Sequence, residues 1–153
     1  MREQRAHATR YASARRTGTV LAFDFGTKRI GIAVGDLALG IAHPLTTLES
    51  ARNEQRFNAI AGLIKEWQPV LLVVGLPAHM NGSEHEMSRL SRGFALRLQQ
   101  RFKLPAFLVD ERLSSHTAER SLAKAGMPRS KIAIDQVAAQ HILQSFFDDR
   151  ETS

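Results

Sequence analysis

Val20-Leu21-Ala22-Phe23-Asp24-Phe25-Gly26-Thr27-Lys28-Arg29-Ile30-Gly31-Ile32-Ala33-Val34 is the stretch on which the fold turns. An apolar run ends in one carboxylate, Asp24. A glycine turn carrying two cations follows, and a second apolar run begins. Gly26 permits a sharp reversal, so residues 19–24 and 29–35 are expected to be a strand and its hairpin partner. Side chains of a strand alternate between two faces. An Asp closing a buried strand must therefore find a partner or bind something. Taken alone, Asp24 reads first as a residue that hydrogen-bonds the turn following it.

Working outward, residues 39–48 read as a third strand, with Pro44 marking an edge or a bulge. Residues 52–67 are expected to be helical, because Phe57, Ile60, Ala61 and Ile64 recur at i, i+3, i+4 and i+7. Pro69 bars its continuation. The apolar run 70–75 fits a strand buried on both faces, as in a parallel sheet. Residues 76–83 hold Pro77, Asn81 and Gly82 and read as a loop. Ser83 and Glu86 form a capping box for a helix reaching Phe102, which buries Met87, Leu90, Phe94 and Leu98. A short buried strand spans 106–110. Ser114 or Ser115 caps a helix through Ala125, which Gly126-Met127-Pro128 ends. A last helix covers 134–147. The order β-β-β-α-β-α-β-α-α implies an α/β fold, a mixed five-stranded sheet flanked by helices on both faces.

The 153 residues fit one domain with a full core. Hydrophobic content of 43% and charged content of 24% are those of an ordinary globular protein. The absence of cysteine excludes disulfides and thiolate metal sites and suits a reducing compartment. No apolar stretch approaches the roughly 20 residues of a membrane helix, and the basic start lacks an apolar signal core. The expected location is the cytoplasm, with no membrane partner. Net charge is +6, but residues 1–18 hold five arginines against one glutamate, leaving 16 basic and 14 acidic residues in the remainder. The expected organisation is a basic, disordered tail over 1–18, a folded domain over 19–148 and a short C-terminal tail over 149–153. A basic arm would add sequence-independent attraction to phosphates.

Two further acidic sites lie far down the chain. Asp110-Glu111 closes the last strand, and only one of two neighbouring strand residues can point at a given site. Asp135 shares a helix face with Ala138, Ala139, Ile142 and Phe146, and that face is the apolar one. Its carboxylate is thus aimed toward the sheet, although an Asp in a first turn can also serve the helix dipole. Three acids brought together from separate elements suit hard divalent cations, which take oxygen ligands and substrate phosphates. Two such ions roughly 4 Å apart can activate a water and stabilise the leaving oxygen of a phosphodiester. The six histidines are scattered at zinc-incompatible spacings; His79 and His116 fall in loops near the acids.

Four blocks of this chain resemble the YqgF-like family. They are Ala22 to Gly31, Gly75-Leu76-Pro77 with Asn81-Gly82, Asp110-Glu111-Arg112-Leu113-Ser114, and Asp135 to Gln144. The resemblance covers residues 18–147. It implies a ribonuclease H-like fold and either pre-16S rRNA nuclease or Holliday-junction resolvase activity. It implies that Asp24, Glu111 and Asp135 are the catalytic, metal-binding acids, with Asp110 as support and two Mg2+ or Mn2+ ions as cofactor. It places Lys28, Arg29 and Arg112 near the scissile backbone, with Thr27, Ser114 and His79 as further nucleic-acid contacts. His79 departs from the family pattern, which expects Asn there. The expected function is a divalent-metal phosphodiester hydrolase maturing the 5′ end of pre-16S rRNA, acting as a monomer or weak homodimer. Branched DNA is the alternative substrate. A nucleotide-binding phosphotransferase and a metal-free nucleic-acid-binding module are the rival classes. The first needs a second lobe that 153 residues cannot supply, and retention of all three acids argues against the second.

Overall fold

The computed structural model describes residues 16–77, 82–110 and 130–152, the side chains of 82–85 and 151–152 excepted. Three strands open the fold: β1 (Thr19–Phe25), β2 (Ile30–Asp36) and β3 (Ile41–Leu48). Helix α1 (Asn53–Trp67), β4 (Leu71–Leu76), α2 (Gly82–Phe102), β5 (Ala106–Asp110) and α3 (Lys131–Thr152) follow. The strands form one mixed sheet in the order β3-β2-β1-β4-β5. β1 pairs antiparallel with β2 and parallel with β4, β2 pairs antiparallel with β3, and β4 pairs parallel with β5. The expected five-stranded α/β architecture is what is found.

Strand parity decides what each face meets. Val20, Ala22, Ala33, Leu71, Val73 and Phe107 pack on one face against Ala139, Ile142, Leu143, Phe146 and Phe147 of α3. Leu21, Phe23, Ile30, Ile32, Leu72 and Val74 pack on the other, against Phe57 and Ile60 of α1 and Phe94, Ala95 and Leu98 of α2. β1 and β4 are therefore buried on both sides, which explains their unbroken apolar runs.

Several expectations shift in detail. On α1, Ala61 is exposed, and Arg56 is buried at 3% exposure instead. On α2, Met87 and Leu90 are half-buried, while Ser91 and Ala95 join Phe94 and Leu98 in the interior. The buried face of the helix therefore runs through Ser91, Phe94, Ala95 and Leu98. α3 begins at Lys131 and runs to Thr152, so residues 149–152, read from sequence as a tail, continue the helix. Phe146 and Phe147 are both buried there. The expected helix through Ala125, the capping side chain of Ser83 and the first fifteen residues lie outside what is described.

The start of β3, an edge strand, is bonded to α3. Gln144 accepts a hydrogen bond from Ala42 N at 3.1 Å through Oε1. It donates through Nε2 to Gly40 O at 2.9 Å. Gln140 Nε2 donates to Ala42 O at 3.1 Å. An edge strand exposes unpaired backbone groups that invite other strands; here two glutamines one helical turn apart satisfy those of Ala42 and the carbonyl of Gly40.

Candidate active site

Asp24 belongs to β1 and follows Val20 and Ala22 on the same parity, which is the α3 face. Its antiparallel partner is Gly31. Directly opposed residues of an antiparallel pair project to the same side. A Cβ built on Gly31 would stand 2.0 Å from the backbone oxygen of Asp135 and 2.9 Å from its Cβ. The first turns of α3 thus press directly onto β2 at Gly31, beside Asp24. Two acids separated by more than a hundred residues are brought to one face because the residue between them has no side chain.

The start of α3 is held from several sides. Ser130 caps the helix, accepting from Ala133 N at 3.1 Å through Oγ and from Ile134 N at 2.9 Å through its carbonyl. Thr47 Oγ1 of β3 donates to Ile132 O at 2.8 Å. Arg29, just before β2, donates through Nε to Asp135 Oδ2 at 2.9 Å. That ion pair is about three-quarters buried, with side-chain exposures of 28% and 24%. Ser130 and Thr47 were not singled out from sequence. A Ser shortly before a periodic apolar run is a recognised start signal and could have pointed to Ser130.

On its other side Asp24 also has a glycine neighbour. β1 and β4 stay in register to Phe23 and Val74, and Gly75 comes next on β4. Gly75 in turn pairs with Val109 of β5. Of the strand positions next to Asp24 on the α3 face, Gly31 carries no side chain, and the backbone of α3 fills that place.

The turn after Asp24 is anchored from the opposite face. Phe25 points toward α1 and α2, with its ring 4.8 Å from that of Phe94. The guanidinium of Arg56 lies 5.4 Å above the Phe25 ring. Arg56 also donates through Nη2 to Gly26 O at 2.6 Å and through Nε to Ser50 O. Burial lowers its pKa from the usual arginine value, and these carbonyls and the ring supply the stabilisation that water would give. Sequence reasoning missed Arg56, since its partners are main-chain oxygens.

The remaining expected site residues divide. Lys28 and Thr27 are exposed on the turn. Phe107 and Val109 sit on the α3 face, while Ala106 and Leu108 sit on the other, so Asp110, itself exposed, shares parity with the latter pair. Glu111, Arg112, Ser114 and His79 lie outside the described residues. Among the described residues no group of three or more His, Cys, Asp or Glu side chains is assembled. Asp24 and Asp135 are the two acids the described structure brings to one place. Their donor set is all oxygen, which suits a hard cation, and Arg29 stands in as a positive charge at one of them.

Residues 18–149 match a family described as RuvX, Holliday junction resolvase. The chain belongs to this family. A relative from Methylobacillus flagellatus is 59% identical over 133 residues, covering 86% of this chain and 91% of that protein. One from Chromobacterium violaceum is 57% identical over 136 residues, covering 87% and 99%. Both bear the name "Putative pre-16S rRNA nuclease". Among solved structures, Thermus thermophilus RuvC in complex with a Holliday junction substrate aligns with a TM-score of 0.54 at 15% identity, covering 88% of this chain and 96% of that one. That likeness shows the shared fold, which is ribonuclease H-like.

Proposed function

We propose that this chain is a divalent-metal-dependent nuclease that processes the 5′ end of pre-16S rRNA. One observation carries the site: Asp24 and Asp135 converge across Gly31 on one face of the sheet. The names of relatives more than 50% identical favour ribosomal RNA as substrate. In this reading Asp24, Asp135 and Glu111 hold Mg2+ or Mn2+. Glu111 is the next odd residue after Phe107 and Val109, which supports it over Asp110 as the third ligand. Bound divalent ions supply a nucleophilic water at neutral pH and stabilise charge on the leaving oxygen. The chain's own part is to hold three carboxylates at fixed spacing. Lys28 and Arg112, with Thr27, Ser114 and His79, contact the nucleic-acid backbone, positioning phosphate rather than reading bases. Among the described residues no helix is long and apolar enough to cross a membrane.

The family description favours a second reading, resolution of four-way DNA junctions by the same site. Labelled pre-16S RNA and a labelled four-way junction, each with Mg2+ or Mn2+, separate the two. The expected result is cleavage of the RNA precursor, lost in D24N and E111Q and kept in D110N. Cleavage of the junction alone reverses the substrate assignment. Undiminished cleavage by D24N removes Asp24 from the metal site, and loss in D110N with retention in E111Q exchanges the roles of that pair.

A further inference from the structure

Arg29 touches the carboxylate that the metal would need. Ile30 pairs with Phe25 at the end of the hairpin, so the backbone beside Arg29 is fixed. Its guanidinium then reaches inward to Asp135 Oδ2, at 2.9 Å, rather than outward. The neighbouring Lys28 is exposed. Asp24 and Asp135 on one face carry like charges, which repel unless a cation stands with them. Arg29 provides that cation from within the chain.

We propose that Arg29 is a built-in competitor for the divalent cation at Asp135. This rests on the nuclease reading of the site. In the ion-free protein, Arg29 neutralises Asp135 and keeps the start of α3 seated beside Asp24. When a divalent cation takes Asp135, the guanidinium gives up Oδ2. The same side chain then becomes available to a phosphate oxygen, for which a guanidinium is well suited. The role expected of Arg29 from sequence is thus confined to the metal-loaded form. Metal binding and exposure of this phosphate ligand become one event.

The competition has a measurable size. An ion pair at this level of exposure is worth about a two- to fivefold effect on an equilibrium. Isothermal titration of the full chain with Mn2+ alone, in matched buffers, is expected to show R29Q binding about two- to fivefold more tightly than wild type. Removing any nearby positive charge raises cation affinity somewhat through the general field, so K28Q is the control and is expected to gain less. R29K, which keeps a cation within reach, is expected to fall between wild type and R29Q. Thermal melts supply a second measurement. In chelator R29Q should melt below wild type, and added Mn2+ should raise its Tm by more than it raises that of wild type. Equal Mn2+ affinity in wild type and R29Q overturns the competition and leaves the metal site standing. An equal gain in K28Q also overturns it, leaving only a field effect. Absence of Mn2+ binding in both wild type and R29Q overturns the metal site itself.

Discussion

Gly31→Ala is the substitution that most directly tests how the two acids are brought together. The added Cβ would stand 2.0 Å from the Asp135 backbone oxygen, a metre-stick on which side-chain carbons essentially never fall below 3.0 Å. Relief therefore requires β2 and α3 to part by about 1 Å, and the obstructing atom is main chain, not the end of a flexible side chain. Overpacking of this kind costs about 1–3 kcal/mol. With an urea m-value of about 1–3 kcal/mol/M, the midpoint should fall by a readily measured fraction of a molar unit or more. Activity should suffer further, since displacement of a reacting group by about 1 Å can cost about a hundredfold. Gly62→Ala is the internal control. It makes the same chemical change on α1, where nothing lies within 4 Å of the added carbon. There the helix should gain about 0.5–1 kcal/mol. Urea denaturation of both variants, with cleavage assays beside them, gives the comparison. A G31A protein with wild-type midpoint and wild-type cleavage would refute the close approach of α3 to β2, and with it the juxtaposition of Asp24 and Asp135.

Arg56→Met should lower stability by about 1.5–3 kcal/mol, because charged hydrogen bonds to Gly26 O and Ser50 O are lost inside the protein. Arg56→Lys should restore little, since a compact ammonium lacks the planar spread of Nε and Nη2 that reaches Ser50 O and Gly26 O while lying over the Phe25 ring; a urea midpoint equal to wild type in the lysine variant would contradict this. His141 gives a pH dependence. Burial lowers its pKa from the usual 6.5, so between that value and its lower folded value the unfolded chain binds more protons. Its contribution is present above the unfolded pKa and is lost as pH falls through this window. His141→Gln should flatten the decline of urea midpoint between neutral and mildly acid pH, and an unchanged decline would place its origin elsewhere.

Much of the architecture was legible because it rests on parity and punctuation. The apolar runs of β1 and β4, the reversal at Gly26 and the Pro69 stop each follow from local sterics, and each element appears where those marks put it. The Asp135 face was legible for the same reason: Ala138, Ala139, Ile142 and Phe146 are all buried. What was not legible depends on partners remote in sequence. Arg56 falls near the start of an amphipathic helix and looks like one more solvated charge. Its true partners are two main-chain oxygens and a ring, and carbonyls leave no mark in a sequence. Gln140 and Gln144 bond the backbone of Ala42 at a sheet edge by the same kind of contact. Ala61, placed inside by helical spacing, is exposed because the sheet beneath α1 is met by Phe57 and Ile60, with Arg56 turned toward the hairpin.

Arg29 shows how far a residue's chemistry can be read and where reading stops. The resemblance to the YqgF-like family implies a place for it beside phosphate. The structure ties it to Asp135 instead. The two statements conflict only if the site has one state. A cluster of carboxylates assembled for a divalent cation is unfavourable without one, so a protein that folds before it binds metal needs a substitute charge. Such a charge has to reach the acids, be displaced at modest cost and leave the fold intact. An arginine at the root of a paired strand, bonded to one carboxylate and partly open to water, meets all three conditions. A fully buried pair would cost several kcal/mol to break, and an exposed one would hold nothing in place. On the proposed competition, the position of Arg29 between those limits would let the same side chain serve the ion-free fold and the metal-loaded enzyme.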